Sequence, residues 1–491
     1  MSDPANNKWK TLDRDLGRLG QVELATQFIA KPMVGIGIAL IFLILAGLGA
    51  AVFFWQQPPF LIIAAAAVFG GYMALNIGAN DVANNMGPAV GANALTMGGA
   101  IAIAAVAESA GALLAGGDVV STISKGIIDP AGVAQTEIFI WAMMAALISS
   151  AMWVNLATYV GAPVSTTHSV VGGVMGAGIA AAGFGAVNWA TMSKIAASWV
   201  ISPVLGGVIA AIFLAFIKAK IIYQEDKIAA ARRWVPVLIG IMAAAFASYL
   251  ALKGLKRIYK IDLSLALMIG ATTGFLLYFV SRPLINRQSQ GLENRNKSLK
   301  ILFNIPLILS AAMLSFAHGA NDVANAVGPL AAIVHALEFD GAATKVAIPL
   351  WVMIIGAFGI SFGLFLFGPK LIRMVGSQIT KLNAMRAYCV ALSAAITVIV
   401  ASWLGLPVSS THIAVGAVFG VGFYREYEVK RRAQKTAKSS KGHSIAPEER
   451  KRRKLVRRSH FITIIAAWVI TVPAAALLSA VIFLVLNVIF V

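Results

Sequence analysis

The chain has 491 residues, of which 59% are hydrophobic and 12% charged, and its mean hydropathy is +0.82. This number of charged residues is too small to cover the surface of a soluble protein of this size. The composition therefore excludes a soluble protein and indicates an integral membrane protein. The net charge of +20 does not indicate nucleic-acid binding, because much of it lies in residues 425–458, between two apolar segments. Basic loops beside membrane helices mark the cytoplasmic side and attract anionic lipid headgroups, so membrane lipid is the expected partner.

Apolar segments long enough to cross a hydrocarbon core of roughly 30 Å recur along the chain. Their hydrophobic residues are continuous rather than alternating, which predicts an all-α bundle and not a β-barrel. We expect an N-terminal segment over residues 1–32 and an additional transmembrane helix over residues 33–56. The later apolar segments are residues 60–80, 98–116, 189–217, 234–252, 262–281, 301–331, 345–368 and 461–488.

Two sequence motifs occur twice, in the same order. GANDVANNMGP at residues 78–88 returns as GANDVANAVGP at 319–329, and PVSTTH at 163–168 returns as PVSSTH at 407–412. The copies are 241 residues apart for the first motif (78 to 319) and 244 for the second (163 to 407), so the chain carries a duplicated unit. We assign its parts as repeat 1 over residues 60–217, a linker with two transmembrane helices over 218–300, and repeat 2 over 301–491.

The PVSTTH and PVSSTH motifs predict two re-entrant helical hairpins, each with the motif at its tip. The arms are residues 137–160 and 164–182 in the first hairpin, and residues 387–406 and 408–424 in the second. Five full crossings then separate the two GANDVAN helices, and an odd number turns the second repeat over. The predicted fold is an all-α integral membrane protein with inverted-topology repeats, two re-entrant hairpins and broken helices, which is typical of secondary transporters.

The distribution of Lys and Arg supports this inverted arrangement. It predicts that residues 282–300 and the basic loop 425–460 are cytoplasmic, together with the N-terminus, in a bacterial inner membrane. Residues 117–136 and 183–188 are then external. The loop that carries Lys253, Lys256, Arg257 and Lys260 disagrees with the rule.

The GANDVAN motif places polar groups where a membrane helix is expected. We expect its glycines and Pro88 to open the helix and to free backbone carbonyls, while Asp81 and Asn84 add oxygen ligands. Irregular backbone at this depth is tolerated only against protein or a water-filled cavity. Such ligands suit a small hard cation such as Na⁺, or a proton carried by the aspartate.

The PVSTTH motif offers the opposite chemistry. Pro163 ends one helix and Ser165 can cap the next, so free N–H groups and the positive end of a helix dipole lie at the tip. Thr166 and Thr167 add hydroxyl donors. Two such tips that meet near a pseudo-two-fold axis can surround a tetrahedral oxyanion.

These four motif copies, in this order, resemble those of the inorganic phosphate transporter (PiT) family. The resemblance implies symport of inorganic phosphate with Na⁺ or H⁺, no enzymatic activity and no cofactor beyond the coupling ion, usually in a homodimer. It implies that the cation-binding residues are Asn80, Asp81, Asn84, Asn321, Asp322 and Asn325, with Na⁺ at Asp81 and Asp322. It implies that the phosphate-binding residues are Ser165, Thr166, Thr167, Ser409, Ser410 and Thr411. Asn85 departs from the family pattern, which usually has Ala there.

Three further residues are candidates for the site. Glu108 is a lone carboxylate in an apolar helix, a costly position that favours a proton or Na⁺ ligand over a structural role. His168 and His412 directly follow the hydroxyl residues, and either a phosphate contact or a structural hydrogen bond to a carbonyl explains them equally well.

Alternatives to phosphate symport are a sulfate permease of the same family and, less favoured, a passive anion channel. Two buried aspartates repel an anion unless they are neutralised, and a channel does not need them. Phosphate near neutral pH keeps a proton and can donate a hydrogen bond, whereas sulfate cannot, so a buried acceptor in the anion pocket would select phosphate.

Overall fold

The computed structural model describes residues 33–56, 59–128, 133, 135–160, 164–254, 261–339, 348–378, 383–439 and 458–491. The predicted N-terminal segment 1–32 and residues 440–457 of the predicted basic loop lie outside the described residues. The α-helices of the described part are α1 Met33–Phe53, α2 Phe60–Gly91, α3 Met97–Ala115, α4 Gly117–Lys125, α5 Thr136–Val160, α6 Thr166–Ala182, α7 Trp189–Ile217, α8 Lys227–Lys253, α9 Leu263–Gln288, α10 Asn296–Leu302, α11 Asn304–Phe339, α12 Leu350–Gln378, α13 Ala384–Trp403, α14 Ser410–Ser439 and α15 Arg458–Phe490.

Eleven helices of the described part are long and apolar enough to cross a membrane. The regular structure of that part is helical, apart from one isolated bridge between Ile128 and Val187. The predicted class, an all-α integral membrane protein, is therefore confirmed. The eleven include α5 and α13, which are the first arms of the two predicted hairpins.

The two helices that carry the GANDVAN motifs are continuous, and the predicted opening of the backbone there is wrong. α2 and α11 run through both motifs without interruption. The glycines serve close packing instead: a Cβ at Gly78 would lie 1.9 Å from the carbonyl oxygen of Ile360, and one at Gly319 would lie 2.1 Å from that of Glu108. Pro88 lies inside the last turn of α2 and has no N–H, so the carbonyl of Asn84, four residues earlier, loses its helical hydrogen bond. The helix therefore stays continuous, and the proline frees one backbone carbonyl there.

Each hairpin has both of its ends on one side of the molecule. Before α5 and after α6, Ile128 bridges to Val187, and the Asn188 N–H donates to the Ile127 carbonyl at 2.9 Å. At the start of α13 and towards the end of α14, two guanidinium groups, those of Arg386 and Arg425, lie close enough to repel each other. The second arms, α6 and α14, begin in the interior of the molecule, at the buried residues Thr166 and Ser410.

Contacts between the two repeats occur in matched pairs. Ser109 of α3 donates to the carbonyl of Ala357 at 3.5 Å, and Ser361 of α12 donates to that of Ala105 at 3.1 Å. The two serine hydroxyls meet at 2.6 Å. Each serine thus contacts the helix of the other repeat, four residues before the other serine, so the two helices contribute equally to the contact.

Polar contacts link the loops at each end of the bundle. At one end, Lys218 and Tyr223 both contact Glu428 of α14. At the other end, Lys253 forms an ion pair with Asp118 of α4. Lys253 is one of the four basic residues that disagreed with the charge rule, and Asp118 neutralises it. The other three lie within residues 255–260, which are outside the described residues.

The additional helix α1 lies against α2 and α12. Gly47 allows close contact with Val68, because a Cβ there would lie 2.7 Å from its side chain. Phe42 packs on Phe362 with ring centroids 5.3 Å apart. The opposite face of α1 is exposed and apolar, as expected for a helix at the edge of a membrane bundle.

Candidate functional site

The motif residues of both repeats meet in the centre of the bundle. α2 and α11 cross the interior, and the first turns of α6 and α14 approach them from the two hairpins. All twelve predicted cation-binding and phosphate-binding residues are buried, with exposed fractions between 0% and 7%. Burial of this many polar side chains in a membrane bundle is costly unless they bond to one another.

The helix starts at the two tips are capped in the same way. The Ser165 hydroxyl accepts a hydrogen bond from the N–H of His168 at 3.1 Å, so the predicted cap is confirmed. Ser409 accepts from the N–H of His412 at 3.3 Å. Each cap satisfies one free N–H and leaves the others of the first turn pointing at the interior. Each serine hydroxyl therefore uses one lone pair to cap its own helix and keeps its proton as a donor.

Asp81 is the point where both tips meet. Thr166 of the first tip donates to its Oδ2 at 2.9 Å, and Thr411 of the second donates to its Oδ1 at 3.0 Å. Asp322 receives a longer bond of 3.3 Å from the Ser410 hydroxyl. One carboxylate is therefore bonded to tips of both repeats, and the other to one.

Two asparagines support the threonines from behind. The Asn84 amide donates to the Thr411 hydroxyl at 2.8 Å, and the Asn325 amide donates to the Thr167 hydroxyl at 3.1 Å. These contacts are again a matched pair, because the residues occupy equivalent positions in the two copies of each motif. Both amides lie against the hydroxyl tips, and their Nδ2 donors do not face the carboxylates.

The remaining two asparagines brace the hairpins. Asn80 donates to the Thr158 hydroxyl at 2.8 Å, and Asn321 donates to the Ser402 hydroxyl at 3.0 Å. Asn321 also accepts from the N–H of Val408 at 3.2 Å. These contacts hold the ends of the first arms against α2 and α11. These donor bonds use the amide nitrogens, and the buried Oδ1 of Asn80 accepts no hydrogen bond from the described residues, so cation ligation by Asn80 stays a prediction.

A histidine that the sequence analysis did not single out lies between the carboxylates. His318 Nε2 is 3.1 Å from Asp322 Oδ2 and 3.7 Å from Asp81 Oδ2, and its Nδ1 is 3.3 Å from Glu108 Oε1. Glu108 also accepts a hydrogen bond of 2.9 Å from Asn85, so it is not a lone carboxylate. Ligand atoms of Asp81, His318 and Asp322 lie within 4.8 Å of one another, close enough to share one cation.

The other two candidate histidines lie outside this cluster. The rings of His168 and His412 contact each other, with centroids 4.4 Å apart, and His168 also packs on Trp199 at 3.9 Å. Both line an apolar groove behind the hairpin tips. The structure therefore does not bring them to the carboxylates.

Residues 77–479 match the model of the phosphate transporter family. The chain belongs to the phosphate transporter family. This membership confirms the resemblance inferred from the four motif copies.

Relatives in the phosphate transporter family match most of the chain. A putative phosphate permease of Helicobacter pylori J99 is 46% identical over 96% of this chain and 99% of its own length. The chloroplastic inorganic phosphate transporter 2-1 of Arabidopsis thaliana is 36% identical over 86% of this chain and 71% of its own length. A solved structure described as the sodium-dependent phosphate transporter is 36% identical, with a TM-score of 0.79, and covers 87% of this chain and 100% of its own. The chain is thus a membrane transporter and not an enzyme.

The missed histidine had a signal in the repeats. His318 immediately precedes the second GANDVAN, where the first copy has Ile77. Gly319 packs on the backbone of Glu108, and the equivalent Gly78 packs on the backbone of Ile360. The pair His318 and Glu108 therefore corresponds to the pair Ile77 and Ile360 at the equivalent contact. Alignment of the repeats with attention to such differences would have identified the pair.

Proposed function

We propose that the chain is a symporter that couples inward movement of inorganic phosphate to Na⁺. Phosphate is held between the hydroxyl tips of α6 and α14, and the cation is held at the carboxylates beside them. The observation that carries this proposal is that Asp81 accepts hydroxyl hydrogen bonds from both tips, from Thr166 and Thr411. The anion donors and the cation ligand are therefore directly bonded.

This arrangement supplies a mechanism of coupling. A hydroxyl has one proton to donate and two lone pairs that accept. While Thr166 and Thr411 donate to Asp81, those protons are not available to an anion. A cation at Asp81 binds the carboxylate oxygens and the hydroxyl oxygens of Thr166 and Thr411. The two hydroxyl protons then point away from the carboxylate and can be donated to phosphate. Cation binding thereby creates anion donors, and phosphate in return tightens the cation.

Electrostatic repulsion also favours binding of the cation before phosphate. Phosphate brings one or two negative charges towards Asp81, Asp322 and Glu108, all of which are buried, and repulsion is strong in such surroundings. The imidazole of His318 lies within 3.7 Å of all three carboxylates and, when it is protonated, offsets part of this charge. Na⁺ offsets more, and hard oxygen donors are its preferred ligands. The sodium dependence named for the solved relative supports Na⁺ before a proton.

The site also offers an acceptor that selects phosphate over sulfate. Asn325 bonds to Thr167 through its amide nitrogen, and its buried Oδ1 accepts no hydrogen bond from the described residues. A hydrogen phosphate ion can donate its P–OH proton to this oxygen. Sulfate has no proton to donate and leaves a buried acceptor unpaired, which such sites discriminate against strongly.

We further propose that the second repeat is inverted in a bacterial inner membrane, with the N-terminus cytoplasmic, and that the protein is a homodimer. The repeat boundaries are those proposed above, 60–217 and 301–491. Contacts among the described basic loops support the orientation: Asn294, in the loop 282–300, accepts from the N–H of Lys227, and Lys218 pairs with Glu428. All three loops therefore share the side that the charge rule makes cytoplasmic.

Uptake of labelled phosphate into reconstituted vesicles tests the proposal. An inward Na⁺ gradient should concentrate phosphate, a pH gradient alone should not, and excess sulfate should leave uptake unchanged. Equal accumulation of phosphate with the pH gradient alone would identify the proton, and not Na⁺, as the coupling ion. Efflux down the phosphate gradient without accumulation under either gradient would indicate the passive channel.

Neutral variants of the aspartates test the assigned cation ligands. Asp81→Asn removes the charge and keeps the shape and one oxygen, so we expect phosphate exchange to persist while dependence on the Na⁺ gradient is lost. Asp322→Asn should weaken that dependence less, because His318 already lies 3.1 Å from this carboxylate. Accumulation with unaltered Na⁺ dependence in the Asp81 variant would make this residue structural.

A further inference from the structure

The first arm of the second hairpin ends against a lysine of the linker. α13 ends at Trp403, and Gly405 follows in the left-handed conformation, with a φ of 68°. The N–H groups of residues 404–406 donate back to the carbonyls of residues 400–402, and these three bonds do not use the carbonyl of Trp403. The Lys253 ammonium donates to that carbonyl at 3.3 Å. A cation at this position also lies in the favourable field of the helix dipole.

The short helix α4 holds the same part of the hairpin. Its Thr122 hydroxyl donates to the carbonyl of Gly405 at 2.7 Å, and its Asp118 carboxylate forms the ion pair with Lys253. The buried residues of α4 pack against α11, so α4 is itself firmly placed. Three polar contacts therefore attach the end of the first arm to α4 and α8.

The attached residues 403–408, which we call the tip segment, separate the surface of the protein from the anion donors. Leu404 on its outer side is 60% exposed. Four residues later, the carbonyl of Val408 accepts from the Thr167 hydroxyl of the first tip at 3.0 Å. A phosphate ion that comes from this side to the buried tips must therefore displace the tip segment, and the segment cannot move away from α4 while the three contacts hold it.

The repeats do not reproduce this ion pair at the first hairpin. Gly116 and Gly368 are equivalent, because each packs against the valine of a GANDVAN motif. Two residues after them lie Asp118 and Lys370, which carry opposite charges, and the side chain of Lys370 is exposed. Lys253 comes from the linker, which belongs to neither repeat. The ion pair is therefore specific to the second hairpin.

We propose that Asp118, Thr122 and Lys253 form a latch that keeps the second hairpin closed towards the outside, and that phosphate enters from the outside when the latch opens. The word outside rests on the orientation proposed above. The ion pair is only partly buried, with side chains 13% and 34% exposed, so water can replace it when the segment moves. Each contact favours the closed state, and a variant that lacks one populates the open state more. We expect an increase of up to about fivefold without the ion pair and of about two- to tenfold without the Thr122 hydrogen bond.

Reactivity of a buried thiol measures how often the latch is open. In a Cys389→Ala background, Val408→Cys places the thiol at the buried inner end of the tip segment. An impermeant methanethiosulfonate added outside intact cells should modify it slowly. Lys253→Gln and Thr122→Val should accelerate the reaction by the factors given above, and Lys253→Arg, which keeps the charge, should not. Equal rates in the native background and in both latch variants overturn the proposal.

Control variants separate the latch from general loosening and from orientation. Lys218→Gln breaks an ion pair of similar burial at the opposite end of the bundle and should leave the rate unchanged. An acceleration equal to that of Lys253→Gln would contradict the latch. Leu404→Cys should react in every background, which shows that the reagent reaches the tip segment. Acceleration that occurs only in inverted membrane vesicles supports the latch and overturns the proposed orientation.

A covalent cross-link tests whether the latch must open during transport. In the same background, a bifunctional methanethiosulfonate can join Asp118→Cys to Lys253→Cys. Exchange of labelled phosphate across vesicle membranes should stop in the cross-linked protein and return when a reductant cleaves the link, while each single variant keeps exchange after the same treatment. Exchange needs no ion gradient, so the result does not depend on which ion drives transport. Continued exchange in the cross-linked protein overturns the proposal, as does loss of exchange in the double variant before cross-linking.

Discussion

Two threonines at matched positions of the repeats make different contacts, and this difference separates anion binding from coupling. The Thr411 hydroxyl donates to Asp81 at 3.0 Å and accepts from Asn84 at 2.8 Å. The Thr167 hydroxyl donates to the carbonyl of Val408 at 3.0 Å and accepts from Asn325 at 3.1 Å. Thr411 thus links the cation ligand to the anion pocket, and Thr167 does not. Replacement of each by valine removes the hydroxyl and keeps the branched shape.

The expected magnitudes follow from the partners. The bond from Thr411 to a carboxylate is charge-assisted and contributes roughly 1.5–3 kcal/mol, and that from Thr167 to a carbonyl roughly 0.5–1.5 kcal/mol. For Thr411→Val we expect the gain in phosphate affinity produced by Na⁺ to fall by about ten- to a hundredfold. For Thr167→Val we expect phosphate affinity to fall by about two- to tenfold at every Na⁺ concentration, with the gain unchanged.

The measurement is equilibrium binding of labelled phosphate to purified protein over a Na⁺ series. Thermal unfolding in detergent serves as the control, since both side chains are fully or almost fully buried. The quantity compared is the ratio of phosphate affinities with and without Na⁺. Linkage requires that phosphate raise the affinity for Na⁺ by the same ratio. The reasoning is refuted if both variants keep the native ratio, or if the Thr167 variant loses it and the Thr411 variant does not.

Two other predictions concern topology and the buried histidine. In a Cys389→Ala background, Phe184→Cys should react with an impermeant maleimide added outside intact cells and Gln290→Cys should not; the reverse result excludes the proposed orientation. His318→Asn removes one of two partners of the buried Glu108 carboxylate and leaves it Asn85, so it should destabilise the protein by up to about 3 kcal/mol. Addition of Glu108→Gln should recover part of this loss, and strictly additive effects in thermal unfolding would show that the pair is not coupled.

The features of the fold that the sequence predicts well are those set by composition and local chemistry. Continuous apolar segments predicted the helical membrane bundle, and Pro163 followed by Ser165 predicted a helix start that the structure has at Thr166. The error at GANDVAN has a clear cause. A glycine can open a helix or let another helix approach closely, and the sequence around Gly78 does not distinguish these two roles. The group that approaches Gly78 is the carbonyl of Ile360, which comes from a distant part of the chain.

The candidate site is predictable to the extent that the motif repetition carries it. Asp81, Thr166 and Thr411 were identified from the motifs, and the structure brings them into contact. The motifs could not show that Asn80 turns towards Thr158, since side-chain direction depends on where the hairpin packs. His318 could not be predicted from the shared motifs, because it lies just outside a motif, at a position where the first repeat has Ile77.

The differences between the repeats bear most directly on mechanism. With perfect two-fold symmetry, Asp81 and Asp322 would have equal surroundings and equal affinity for a cation. Instead Asp81 accepts from two threonines, while Asp322 accepts from Ser410 at 3.3 Å and contacts His318 at 3.1 Å. When it is protonated, His318 offsets more charge at Asp322, 3.1 Å away, than at Asp81, 3.7 Å away, and the two threonine hydroxyls connect Asp81 to both hairpin tips. In the proposed mechanism the contacts that the repeats share hold both hairpins, and the contacts in which they differ make Asp81 the carboxylate whose cation prepares the anion pocket.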